Sequence, residues 1–198
     1  RFEFFPAVSA GWVASSEKFW EPISKYINHF KIRGSYGLVG SDAFASGAPH
    51  FLYQNNIGIG SAHKFWTGLP TSEISKQGPG FYVLAVQDAG WEHVKKFDIG
   101  FDMMLFNQLN ITFDYFHDKR ERILMSRASW PSMLGYWGSK PWSNIGEVEN
   151  QGFELSLNWT KQFGKDLTLD LRGNFTYNQN EYKYVDEPSY PYVWQTNT

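Results

Sequence analysis

The stretch Phe97-Asp98-Ile99-Gly100-Phe101-Asp102-Met103-Met104-Leu105 places an apolar side chain at every odd position. After the short link Phe106-Asn107-Gln108 the alternation resumes, with Leu109, Ile111, Phe113 and Tyr115 set between Asn110, Thr112 and Asp114. A strand sends successive side chains to opposite faces, so each run has one apolar face and one polar face. A second pair follows the same rule. Phe153, Leu155, Leu157 and Trp159 alternate with Glu154, Ser156 and Asn158. Beyond the link from Lys161 to Asp166, Leu167, Leu169, Leu171, Phe175 and Tyr177 alternate with Thr168, Asp170, Arg172, Asn174 and Thr176. The runs are about 9–11 residues long, which is what a tilted strand needs to cross a bilayer. The expected fold is therefore all-β, a piece of an antiparallel transmembrane β-barrel. Phe97, Ile99, Phe101, Leu155, Leu157, Leu169 and Leu171 should face outer-membrane lipid. Asp98, Asp102, Ser156, Asp170 and Arg172 should face a watery lumen.

Composition agrees with a wall that is greasy on one side only. The 198 residues include 17 Phe, 11 Tyr and 9 Trp, yet mean hydropathy is −0.44. No run reaches the roughly 18 apolar residues of a helical span. Only every second strand residue meets lipid, and rings gather at the two membrane interfaces, so a barrel reconciles the two figures. A soluble or surface-attached β-sandwich, such as a carbohydrate-binding or adhesin module, shares this composition and stays open here. A net charge of −2 without a basic cluster argues against a nucleic-acid partner. The lack of Cys excludes a disulfide framework and thiolate metal sites.

The chain opens at Arg1-Phe2-Glu3 without a leader pattern and closes on Gln195-Thr196-Asn197-Thr198. The expectation is a portion of something longer, residues 1–198 being one partial barrel domain. An open sheet would expose edges that lipid does not tolerate, so further strands should close it.

Along the chain, further strands are expected over Phe4–Val13, Phe30–Leu38, Phe51–Ile59 and Phe81–Val86, giving about eight strands in all. Gly34, Gly37 and Gly40 suit a bend or bulge. Ser15 to Asn28 reads as a polar link with room for a helical turn. Ser41 to Pro49 and Ser61 to Gly80 read as loops, as does Met125 to Asn150, which carries Trp130, Pro131, Tyr136, Trp137, Pro141 and Trp142. Outer-membrane barrels keep short turns on the periplasmic side and long loops outside, which puts Met125–Asn150 at the exterior.

Several stretches resemble the SusC/RagA family of TonB-dependent outer-membrane transporters of Bacteroidetes. They are Lys31 to Gly40, Trp91-Glu92 leading into Lys96 to Asp102, Leu109 to Phe116 with Lys119-Arg120 and Ile123-Leu124, and Arg172 to Tyr177. The most specific is Asn144-Ile145-Gly146-Glu147-Val148-Glu149-Asn150-Gln151-Gly152-Phe153-Glu154. One departure is Val86 to Gly90, where the family carries an Asn-Pro step before the Trp-Glu pair. The resemblance implies a barrel of about 22 strands around an N-terminal plug, with the plug outside this sequence. It also implies location in the outer membrane, a SusD-like surface lipoprotein as lid and energy from the TonB complex through the missing part. A glycan or peptide substrate and pairing of two transporter–lid units complete that expectation.

Candidate sites are few. Asp98 with Asp102, and Asp114 with Asp118, evoke acid/base pairs, but positions i and i+4 of a strand lie about 13 Å apart, too far for glycoside hydrolysis. Polar residues of a lumen wall explain them better. The five His show no metal-ligand spacing; Asp114, His117 and Asp118 would meet a metal only by chance of loop geometry. Gly58-Ile59-Gly60 lacks the strand–turn–helix context of a phosphate loop. Asn110, Asn158 and Asn174 begin glycosylation sequons that alternation alone produces. No catalytic, cofactor-binding or metal residue is assigned, no cofactor is expected, and the chain does not read as an enzyme. Trp130, Tyr136, Trp137 and Trp142 are the candidates for contact with ligand or lid, set against packing or an interfacial girdle.

Overall fold

The computed structural model describes residues 2–42, 47–48, 50–69, 72–86, 89–131, 140–188, 192 and 194. Eight strands follow one another: β1 Ala7–Val13, β2 Ile27–Ser41, β3 Asn56–Leu69, β4 Ser72–Val83, β5 Glu92–Leu105, β6 Leu109–Ser126, β7 Trp142–Phe163 and β8 Leu167–Tyr184. Six form one sheet in the order β1-β2-β5-β6-β7-β8, while β3 and β4 pair separately. The sheet does not close on itself among the described residues.

Three expectations need correction. Residues 51–55 make a turn, with the Gln54 N–H bonded to the Phe51 carbonyl at 3.1 Å, so β3 starts at Asn56 rather than Phe51. Ser61 to Gly80 is no loop but most of the β3–β4 hairpin, which pairs Trp66 with Ser75. Finally, β6 runs to Ser126 and β7 begins at Trp142, so Met125, Ser126 and residues 142–150 of the expected loop lie in strands. At the start of the chain β1 begins at Ala7, because Pro6 has no N–H to give. Its carbonyl still accepts from Leu38 N at 2.8 Å.

The chain divides into two compact units. The first comprises residues 1–40, 93–120 and 148–181. Its β5–β6 turn is tight: Gln108 N–H reaches the Leu105 carbonyl at 2.9 Å, with φ of 54° at Phe106 and 52° at Asn107. Positive φ at both central residues defines a type I′ turn, whose twist matches the flanking strands. Phe is an uncommon residue in that conformation, and the neighbours brace it. Phe106 N–H donates to the Tyr26 carbonyl at 2.9 Å and Asn107 N–H to Asn28 Oδ1 at 2.6 Å. On the other flank Thr160 N–H donates to the Gln108 carbonyl at 2.9 Å. Strand β7 continues past that level to Phe163, so the two hairpins are staggered, as barrel strands are.

One face of this unit carries a row of rings. Phe30 meets Phe101 at 6.0 Å, Phe101 meets Phe113 at 5.5 Å, and Phe113 meets Phe153 at 6.1 Å. Phe153 then contacts Phe175 at 5.8 Å and Tyr177 at 5.7 Å. Phe97, Ile99, Leu157, Leu169 and Leu171 on the same parity are exposed, while Phe101 and Leu155 are half covered by their neighbours. Beyond the rings this face turns polar, with Tyr115 bonded to Gln151 and His117 to Glu149.

The second unit comprises residues 41–92, 121–147 and 182–198. Leu52, Val86 and Leu124 form its small core, covered by Ala48, Ala89 and Trp142. Arg122, inside β6, has φ of 60° and marks a bulge. The Asn144 amide holds it, donating to the Arg122 carbonyl at 2.9 Å and to the Gly90 carbonyl at 3.1 Å, and accepting from Gly90 N–H at 3.2 Å.

Candidate functional site

The polar face of the first unit is built from β2, β5 and β6. Arg33 projects from β2 between two carboxylates, with Nη2 at 2.8 Å from Asp114 Oδ2 and Nε at 3.4 Å from Asp102 Oδ2. Lys96 holds Asp118 at 3.1 Å. Gly100 makes this packing possible, since a Cβ there would lie 2.1 Å from Asp114 Oδ1 and 2.5 Å from the Phe113 carbonyl. Asp102, Asp114 and Asp118 thus each have a cation in reach, and Arg33 brings Asp102 and Asp114 to one guanidinium. His117 sits with Glu149 on the opposite parity from Asp114 and Asp118, so the three do not converge. Among the described residues no cluster of three metal-ligating side chains occurs.

In the second unit the base of the aromatic loop is tied down at several points. Arg127 N–H donates to the Pro141 carbonyl at 2.8 Å, closing the loop's mouth, and Lys140 Nζ reaches the Ala128 carbonyl at 3.1 Å. Asp186, beyond β8, accepts from Ser129 N–H at 3.1 Å, Ser129 Oγ at 2.8 Å and Arg127 Nε at 3.2 Å. Burial pushes the Asp186 carboxyl up, but the Ser129 N–H and hydroxyl and the Arg127 guanidinium together hold it below the usual aspartate range. Asp186 carried no sequence signal: an acid just after a strand says nothing of the distant residues it will hold.

The four aromatic candidates separate. Trp142 opens β7 and packs on Leu52, Val86 and Leu124, which is a core role. Trp130 is half-buried in the turn after β6, with its backbone N 3.4 Å from the Arg127 carbonyl oxygen. Tyr136 and Trp137 lie outside the described residues. Beside Arg122, a recess of about 670 Å³ is lined by Glu121, Arg122, Asn144, Ile145, Glu147, Lys183 and Tyr184, with charges of both signs around its rim. Two residues the sequence reading passed over, Phe51 and Tyr53, are exposed on either side of the buried Leu52, their rings in a T-shaped pair at 6.2 Å.

A sheet with an exposed apolar face and an ion-paired polar face fits a membrane wall, and sequence comparison decides which one. The profile of the family described as TonB dependent receptor-like, beta-barrel matches residues 1–195. This chain belongs to that family. Among curated receptors it is 30% identical over 182 residues to TonB-dependent receptor P3 of Formosa agariphila, covering 91% of this chain and 17% of that protein. It is 26% identical over 193 residues to TonB-dependent receptor SusC of Bacteroides thetaiotaomicron, covering 91% of this chain and again 17% of the relative. The receptor chain therefore spans about a sixth of the length of these relatives. Its fold also matches the RagAB peptide importer in its open-open state, with a TM-score of 0.67 at 21% identity over 91% of this chain and 18% of that one. The SusC/RagA resemblance stands, and a β-sandwich does not.

Proposed function

We propose that this chain is part of the wall of a SusC-like, TonB-dependent importer in the outer membrane. The importer moves oligosaccharides or oligopeptides inward beneath a SusD-like lipoprotein lid. TonB acts on parts of the protein outside these residues, and two transporter–lid units pair. The observation that carries the reading is the two-faced sheet of a TonB-dependent receptor. Exposed Leu157, Leu169 and Leu171 suit lipid, whereas Arg33 bridges Asp102 and Asp114 on the other face. A wall whose charges are already paired presents water and solute with few uncompensated charges to grip, which suits passage better than retention. The work is import rather than bond chemistry. The ties among Arg127, Ser129, Lys140, Pro141 and Asp186 favour a contact surface for lid or nutrient, carried by Trp130, Tyr136 and Trp137, with Trp142 as its packed base.

Deleting the full-length gene in its host and supplying labelled oligosaccharides or oligopeptides tests the proposal. Uptake of one class should fall in the deletion strain and in a TonB-deficient strain, and return on complementation. Unchanged uptake of both classes would overturn it.

A further inference from the structure

The link between β1 and β2, residues 14–26, is long for the short-turn end of a barrel, and its side chains are sorted. Two single 3₁₀ turns, Ala14–Ser16 and Lys18–Trp20, lead into a further turn in which Ile23 and Ser24 N–H reach the Trp20 carbonyl at 2.9 and 3.0 Å. Tyr26 and Ile27 N–H then reach the Ile23 carbonyl at 2.9 and 3.0 Å. Side chains take up more of the polar groups: Trp20 Nε1 donates to the Ile27 carbonyl at 3.0 Å and Ser24 Oγ to the Glu21 carbonyl at 2.7 Å. A backbone that bonds largely to itself tolerates a medium poorer in water than the bulk. Yet Phe19, Ile23 and Tyr26 are exposed, at 59%, 43% and 56%, and so is the adjoining Phe106. These groups lie on the membrane side of the sheet. Trp20 stacks on Phe30 at 5.3 Å with the planes 5° apart, and Phe30 begins the ring row of the apolar face. Tyr26 sits edge-on to Phe106 at 6.1 Å, which fixes the link at the level of the short β5–β6 turn. Glu17, Lys18, Glu21 and Lys25 are exposed and cancel in charge, so attraction to an anionic partner is not what the segment offers.

We propose that residues 14–26 form an interfacial foot, lying in the glycerophospholipid headgroup layer at the short-turn end with Phe19, Ile23 and Tyr26 dipped toward the acyl chains. Continuity with the lipid-facing ring row singles out this occupant. Rings with polar tips partition to this depth, and burying the exposed faces of Phe19 and Ile23 resists vertical slippage of the wall. Lys18 and Lys25 have stems long enough to return their ammonium groups to water.

The foot rests on the barrel reading, and one experiment separates the two. In the full-length receptor in phosphatidylcholine–phosphatidylethanolamine vesicles, spin labels are placed through Phe19→Cys, Ile23→Cys, Lys25→Cys and Leu157→Cys. Collisions with oxygen and with a water-soluble nickel chelate are then compared. Labels at Phe19 and Ile23 should show an oxygen-to-nickel ratio several-fold above that at Lys25 and below that at Leu157. Nickel access at 19 and 23 equal to that at 25, or shielding from both reagents, would overturn the foot while Leu157 still reports lipid. Nickel access at Leu157 would overturn the barrel reading and the foot with it.

Discussion

Arg33 shows how a single residue organises the polar face, because two aspartates from two other strands depend on it. Replacing it by Met should destabilise the assembled protein by about 1 kcal/mol, a modest figure because the side chains remain partly exposed. Refolding into lipid vesicles along a urea series measures it. Gly100→Ala should cost more than Arg33→Met in the same assay, since its Cβ would meet the Phe113 carbonyl at 2.5 Å and that backbone must move. On the other face, Arg in place of Leu157 should cost about 2–4 kcal/mol at mid-depth. Asp186 acts through protonation. Its carboxyl is held below the ordinary range, so the clamp on Ser129 and Arg127 is at full strength above the unfolded aspartate pKa. It is lost as pH falls through the lowered folded value. Proteolytic nicking of residues 127–131 should therefore rise only in acid below about pH 4, while Asp186→Asn should be nicked at every pH.

At the scale of elements, the β5–β6 turn ties its own two strands to β2 and β7. Asn28→Ala removes the acceptor of Asn107 N–H and should cost about 1 kcal/mol, read in the same refolding series. The inner parts of β5 to β8 were legible in the sequence because their apolar side chains sit on one face only, so period-two alternation survives from Phe97 to Tyr115 and from Phe153 to Tyr177. Strands β3 and β4 were not. Gly58, Gly60, Gly68, Gly78 and Gly80 interrupt them, and the pairing shifts between Ile59 and His63, so no face is marked by residue type. The outer part of β6 was hidden in another way, because His117 to Arg122 are polar on both faces and the alternation ends there. Trp142 looked like one more loop ring, whereas it begins a strand and caps Leu52, Val86 and Leu124. Trp142→Ala should accordingly cost about 2–3 kcal/mol of stability. Trp130→Ala with Trp137→Ala is the cleaner probe of lid affinity or uptake, with assembly unchanged.

For the molecule as a whole, the balance of surfaces forbids an independent life in water. Among the described residues only Ala14, Leu52, Val86, Val94 and Leu124 are buried apolar side chains. Expressed alone, residues 1–198 should not yield a soluble monomer that unfolds cooperatively, and size-exclusion chromatography with thermal melting is the check. Family and wall were readable from one sequence because they repeat along it; the nutrient was not, because a recess such as the one beside Arg122 is assembled from residues far apart in the chain. The tight turn also matters to anyone wanting a handle on this receptor. A peptide tag spliced between Phe106 and Asn107 would cut the ties to Tyr26, Asn28 and Thr160 at one stroke. Such an insertion would report on whether the wall assembles at all, and never on which side of the membrane the epitope was displayed.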